Sequence, residues 1–235
     1  MVDLGIIRKE VEKLEKLNYK KNNDAIIKQL QEINKCFLRN VIIKINRLEI
    51  YPVEVEIYYY DNKGIFQDEN CHQNKLQKNN FGKLYFHRAS RSKSKDTLID
   101  TSRYGGVDVC ISDSEDYYLS ILIRSAYIKN RKEKETKKEF ITGIHRIVNR
   151  ITDELENLLE DGKIDFEYDI YEDEKAKKEQ LKNEISKFKY KHRKRIQGEK
   201  FFKHEEIEKK NYDEYKLNTY IEDIELKIIQ PKQED

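Results

Sequence analysis

Eight consecutive residues, Val53-Glu54-Val55-Glu56-Ile57-Tyr58-Tyr59-Tyr60, carry a two-residue alternation that belongs to a β-strand. The period puts Val53, Val55, Ile57 and Tyr59 on one face of a sheet and Glu54, Glu56 and Tyr58 on the other. The apolar face must pack against a second layer, so the fold needs a sheet with something laid over it. The opposite face gathers two carboxylates and an aromatic ring. Such a face is either the solvated side of a half-buried strand or the beginning of a chemical site. In the second case a carboxylate can activate water beside a flat ring on which a purine can stack.

A chain of 235 residues can bury a sizeable core as one domain, and no Pro/Gly/Ser-rich linker divides it. Lys+Arg 47 against Asp+Glu 45 leaves a formal charge of +2, so any nucleic-acid binding must come from local patches. Cys36, Cys71 and Cys110 are odd in number and widely spaced, and there is no signal-peptide core or long apolar run. The expectation is a soluble protein of a reducing, intracellular setting, without a membrane span.

Residues 4–38 repeat apolar side chains at helical spacing, first Ile7, Val11, Leu14 and Leu17, then Ile26, Ile27, Leu30, Ile33 and Phe37. The polar run 18–24 separates two helices, with Asn23 or Asp24 capping the second. Strands are expected at 41–45 and 48–60, joined through Asn46-Arg47, with Pro52 marking an edge or a bulge. A polar connection over 61–80 holds Cys71-His72, a short strand covers 83–87, and 88–103 is a basic, Ser-rich loop. Strands follow at 105–111 and 118–127 with a turn at 113–116. An amphipathic helix runs from Ile141 through Leu159 to an end near Gly162. Beyond it, 164–171 reads as a strand, 172–186 as charged and helix-prone, 188–202 as basic with interleaved aromatics, and 220–229 as a closing strand. The predicted fold is α+β: a curved, mainly antiparallel sheet with surrounding helices in a single domain. An N-terminal helical segment over 1–36 precedes a body over 37–235, whose charged helical additions begin at about residue 172.

Several short motifs stand in a telling order: Phe37-Leu38-Arg39-Asn40-Val41, then Val53 to Tyr58, then His72 and Gly82-Lys83-Leu84-Tyr85-Phe86-His87. Tyr104-Gly105-Gly106 and Ile121-Leu122-Ile123-Arg124-Ser125 complete the series. Together they resemble the alkyladenine (3-methyladenine) DNA glycosylase family, most clearly over residues 37–127. The resemblance implies monofunctional excision of an alkylated or deaminated purine by base flipping, with nucleic acid, above all duplex DNA carrying a damaged purine, as partner. No cofactor and no metal are implied, and Cys71-His72 alone supplies no chelating set.

By this resemblance Glu56 is the catalytic carboxylate that deprotonates the attacking water, and Tyr58 is a stacking ring that attracts a cationic purine. Glu54, on the same face, would set a like charge beside Glu56 in the pocket. The second aromatic wall comes from Tyr85-Phe86-His87, with His87 in the place of a family tyrosine. His72 corresponds to a histidine near the flipped nucleotide, or is an exposed loop residue. Arg124, in an apolar strand, demands a partner: the nucleotide pocket, an ion pair with Glu56 or Glu54, or both together. Tyr104 matches the wedge that replaces the departing base, or is a turn residue, and Ile111 stands where the family has a polar side chain that screens purines. Arg88, Arg91, Lys93, Lys95 and Arg103 form one candidate phosphate-binding run, and the basic stretch 187–195 another. Two alternatives stay open: a nucleotide or RNA N-glycosidase on the same scaffold, and a catalytically inactive nucleic-acid- or protein-binding module.

Overall fold

The computed structural model describes residues 4–18, 22–64, 66–68, 71–86, 105–131, 138–160, 167–181, 188–191 and 217–221. Helices α1 (Gly5–Asn18) and α2 (Asn23–Asn40) follow the apolar periodicity, burying Ile7, Val11, Leu14, Ile26, Leu30, Ile33 and Phe37. The cap of α2 is Asn22, one residue before the expected pair. Its backbone is extended and its side-chain oxygen accepts the Ala25 N–H at 3.0 Å. Asp24 is thereby placed in the first turn, where a negative charge favours the helix dipole. At the start of α1 the Glu172 carboxylate accepts the N–H groups of Ile6 and Ile7, both at 2.8 Å, which ties the helix to the sheet.

Two strands of 14 residues, β2 (Leu48–Asp61) and β5 (Tyr117–Asn130), pair antiparallel along their whole length and form the spine. Shorter strands flank them. β1 (Val41–Ile45) joins β2 through Asn46-Arg47, where Asn46 takes the left-handed φ of 48° that a tight turn needs. β3 (Leu84–Phe86) and β4 (Val107–Cys110) extend the sheet beyond the first half of β5, and β6 (Lys138–Thr142) pairs with its second half. β7 (Tyr168–Glu172) lies outside β1, while β8 (Phe188–Lys191) and β9 (Asn218–Ile221) add to the later part of β2. All these pairings are antiparallel, and the sheet curls, so the α+β expectation holds.

Several boundaries differ from expectation. Residues 138–142 form a strand, and helix α3 (Ile144–Glu160) starts only after Gly143, whose φ of 101° turns the chain. Ile141 faces the core from the strand, so it mimics the first apolar position of the helix that follows. The basic stretch beginning at 188 contributes a strand, because β9 offers it a partner edge. The closing strand begins at Asn218, two residues before the expected start at Tyr220.

Val53, Val55, Ile57 and Tyr59 enter one core with side chains from α1, α2 and α3, as the alternation requires. Helix α4 (Glu174–Leu181) sits beside the C-terminal end of α2. There Lys177 is completely buried, its Nζ donating to the carbonyls of Val41 at 2.8 Å and Phe37 at 3.3 Å. Among the described residues no helix is long and apolar enough to cross a membrane.

Candidate active site

The polar face of β2 is not solvated. Glu54 retains 9% of its surface and Glu56 only 3%, which overturns the reading of an exposed acidic face. Register explains who surrounds them. Paired residues of adjacent strands share a face, and Tyr85 of β3, Asp108 of β4, Leu122 of β5, Glu56 of β2 and Asn218 of β9 stand in one row. Neighbours in a row of that kind stand about 4.8 Å apart from strand to strand, and the apolar Leu122 separates Asp108 from Glu56.

Glu56 is held from two sides. Tyr58 Oη donates to its Oε1 at 2.7 Å, and Arg124 Nη1 reaches its Oε2 at 2.6 Å. Arg124 Nε also lies 3.6 Å from Glu54 Oε1, so one guanidinium stands between two carboxylates and opposes their repulsion. Glu54 in turn accepts from Ser125 Oγ at 2.8 Å and from Asn218 Nδ2 at 3.1 Å. Ser125 Oγ lies 3.1 Å from Thr142 Oγ1 on β6, which extends the network across the sheet.

The positions of Arg124 and Ser125 follow from two irregularities in the β2–β5 ladder. Register runs Pro52↔Ala126, then Glu54↔Ser125, then Val55↔Ile123, so Val53 is the extra residue on β2 and Arg124 the extra residue on β5. Pro52, which has no N–H to give a ladder, marks the first of these as a bulge rather than a sheet edge.

A second cluster lies one strand beyond Leu122. Ser120 Oγ donates to Asp108 Oδ2 at 2.8 Å and accepts from Gln77 Nε2 at 2.9 Å, all three residues being buried. Gln77 closes a one-turn helix over Lys75–Gln77, whose capping box is built by Asn74. Burial pushes the phenol of Tyr85 and the thiol of Cys110 upward, with Asp108 adding to both. Neither group is therefore a nucleophile at neutral pH.

The sequence candidates divide accordingly. Glu54, Glu56, Tyr58 and Arg124 come together, with both ion pairs foreseen for Arg124 present. Tyr85 shares their face, but β4 and β5 stand between its strand and β2. His72 is exposed in the connection after β2. Ile111 is fully buried in the core. His87, Tyr104, Arg88, Arg91, Lys93, Lys95 and Arg103 lie outside the described residues. Asn218, Ser125 and Asp108 were not anticipated. Asp108 had a signal in the alternation of Val107-Asp108-Val109, whereas Asn218 becomes visible only through strand pairing.

Comparisons with protein families, curated proteins and solved structures return no match for this chain.

Proposed function

We propose that this protein is a monofunctional N-glycosylase that hydrolyses the bond between a damaged purine, alkylated or deaminated, and its sugar in DNA. The observation that carries the reading is Glu56: a carboxylate buried in the sheet and oriented by Tyr58 on one oxygen and Arg124 on the other. An ionised carboxylate is an acceptor with about four lone-pair sites, so it is suited to take a hydrogen bond, and then a proton, from a water.

In the proposed reaction the C1′–N bond breaks and its electron pair leaves with the purine. Positive charge grows on the sugar, and the nearby carboxylate stabilises it. Water oxygen then bonds to C1′ while one of its protons passes to Glu56. Tyr58, two residues along the same face, offers its ring to the flipped base while its hydroxyl holds Glu56. Arg124 fixes the carboxylate and balances the charge of Glu54 beside it. Cys36, Cys71 and Cys110 stand as thiols and not as disulfides, which suits a reducing, intracellular setting.

The test is release of free base from duplex DNA carrying hypoxanthine or 3-methyladenine, measured beside free nucleotides and RNA. Release from the duplex supports the reading. Release from nucleotides or RNA alone moves the substrate, and no release from any of them removes the enzyme.

A further inference from the structure

Four side chains close a ring on the polar face. Arg124 bridges Glu56 and Glu54, Glu54 accepts from Asn218 Nδ2 at 3.1 Å, and Asn218 is the direct cross-strand partner of Glu56. The carboxamide can be oriented by chemistry alone. Glu54 stands beside a guanidinium and acts as an acceptor, so Asn218 must turn its NH2 group toward it and its Oδ1 away. Asn218 keeps only 1% of its surface, and among the described residues no donor reaches its buried Oδ1. A buried acceptor left in that state is costly, and native structures answer it.

The neighbour across the ladder is Glu56, itself an acceptor. Directly opposed residues on adjacent strands have Cα atoms about 4.5–5.5 Å apart, a span that one small molecule with two donors can bridge. Water is such a molecule. We propose that Asn218 is a positioning residue: its Oδ1 and the Glu56 carboxylate accept the two hydrogens of one water, leaving the oxygen lone pairs turned toward the anomeric carbon. This inference rests on the N-glycosidic reading above. During attack the O–H bond to Glu56 breaks as the C–O bond forms. The hydrogen on Asn218 stays on oxygen and becomes that of the product hydroxyl.

Methanol separates this role from simple support of the sheet. It has one O–H, so it can satisfy Glu56 but gains nothing from Asn218. With methanol as a competing nucleophile, Asn218→Ala should lose on the order of tenfold in kcat for hydrolysis with little change in KM. The ratio of methyl glycoside to hydrolysed sugar should rise by a similar factor. An equal loss of both products, leaving the ratio unchanged, would overturn the proposal. Asn218→Leu, which keeps the shape of the side chain and carries no acceptor, serves the same purpose if the alanine variant does not fold.

A crystal structure of the resting wild-type protein supplies an independent arm. An ordered oxygen at hydrogen-bond distance from both Asn218 Oδ1 and a Glu56 oxygen is expected, and a protein donor in its place would overturn the proposal. If that oxygen is present but the protein releases no base, the glycosylase reading falls while the doubly accepting site stands. If base is released and the oxygen is absent, only the role of Asn218 falls.

Discussion

Arg124 and Ser125 are consecutive on β5, yet both reach the same carboxylate: Arg124 Nε lies 3.6 Å from Glu54 Oε1, and Ser125 Oγ donates to Glu54 Oε2 at 2.8 Å. In an unbroken strand, successive side chains point to opposite faces. The bulge at Arg124 removes that constraint, and the matching bulge at Val53 restores register by Pro52↔Ala126. Two irregularities that cancel each other thus keep the long ladder intact while setting two consecutive side chains on the carboxylate face.

That arrangement makes Arg124 the charge on which the ring depends. Arg124→Ala would leave Glu54 and Glu56 buried side by side, and urea unfolding should show a loss of about 3 kcal/mol. Arg124→Lys should fall between, because an ammonium cannot fork to two carboxylates. Adding Glu56→Gln to Arg124→Ala should recover part of the loss, since the uncompensated negative charge is then halved. A loss within about 0.5 kcal/mol for Arg124→Ala would mean that solvent screens the pair.

Glu56→Gln tests the chemistry directly. The amide keeps the shape of the side chain but accepts no proton from water, so kcat for base release should fall by about 10²–10⁴-fold. Binding of a lesion oligonucleotide should persist, because nothing in that step needs a base. Turnover at the wild-type rate would remove Glu56 from the reaction.

How much of this was legible in the sequence depends on how local each signal is. The alternation from Val53 to Tyr60 is local, and it placed Glu54, Glu56 and Tyr58 on one face correctly. The amphipathic spacing of Ile7, Leu14, Leu30 and Phe37 likewise located α1 and α2. Arg124 betrayed itself by being charged among Ile121, Leu122 and Ile123. Ser125 did not, because simple alternation assigns it to the opposite face from Arg124 and only the bulge brings it round. Asn218 is 162 positions beyond Glu56 in a stretch with no distinguishing pattern, and it joins the site through backbone pairing alone. Burial of the acidic face was also invisible. The same alternation describes a solvated strand, and only neighbouring strands decide between them.

Lys177 gives a pH dependence whose sign follows from its setting. Complete burial holds its ammonium well below the ordinary lysine value of 10.5. Between its folded value and 10.5 the unfolded chain carries a proton that the folded chain lacks, so stability rises with pH across that window and levels off above it. Lys177→Met should flatten this rise, measured as urea midpoints from about pH 6 to about pH 10. Identical slopes in the two proteins would show that the buried amine does not contribute to it.

Duplex binding in the proposed reaction must come from local basic runs, since the net charge is only +2. If Arg88, Arg91, Lys93, Lys95 and Arg103 neutralise phosphates, log affinity for duplex should fall linearly with log salt. Neutralising two of the five should then reduce the slope by about 2. Tyr104→Ser should weaken binding to a matched duplex more than to mismatched DNA, where part of the unstacking is already done. Salt-independent affinity, or activity on free nucleotides without duplex binding, would shift the substrate to the nucleotide.

The proposed reaction gives Tyr58 two separable functions, and two substitutions pull them apart. Its hydroxyl donates to Glu56 Oε1 at 2.7 Å, while its half-buried ring is, in the proposed reaction, the surface offered to the base. Tyr58→Phe keeps the ring and removes the donor, so affinity for a lesion oligonucleotide should hold. Its kcat should drop on the order of tenfold, because the carboxylate loses a donor that orients it. Tyr58→Ala removes both, and should weaken binding by about 1–3 kcal/mol in addition. The ring is packing, and not a stacking platform, if Tyr58→Ala binds the lesion as tightly as wild type. Likewise, the hydroxyl has no part in orienting Glu56 if Tyr58→Phe keeps full kcat.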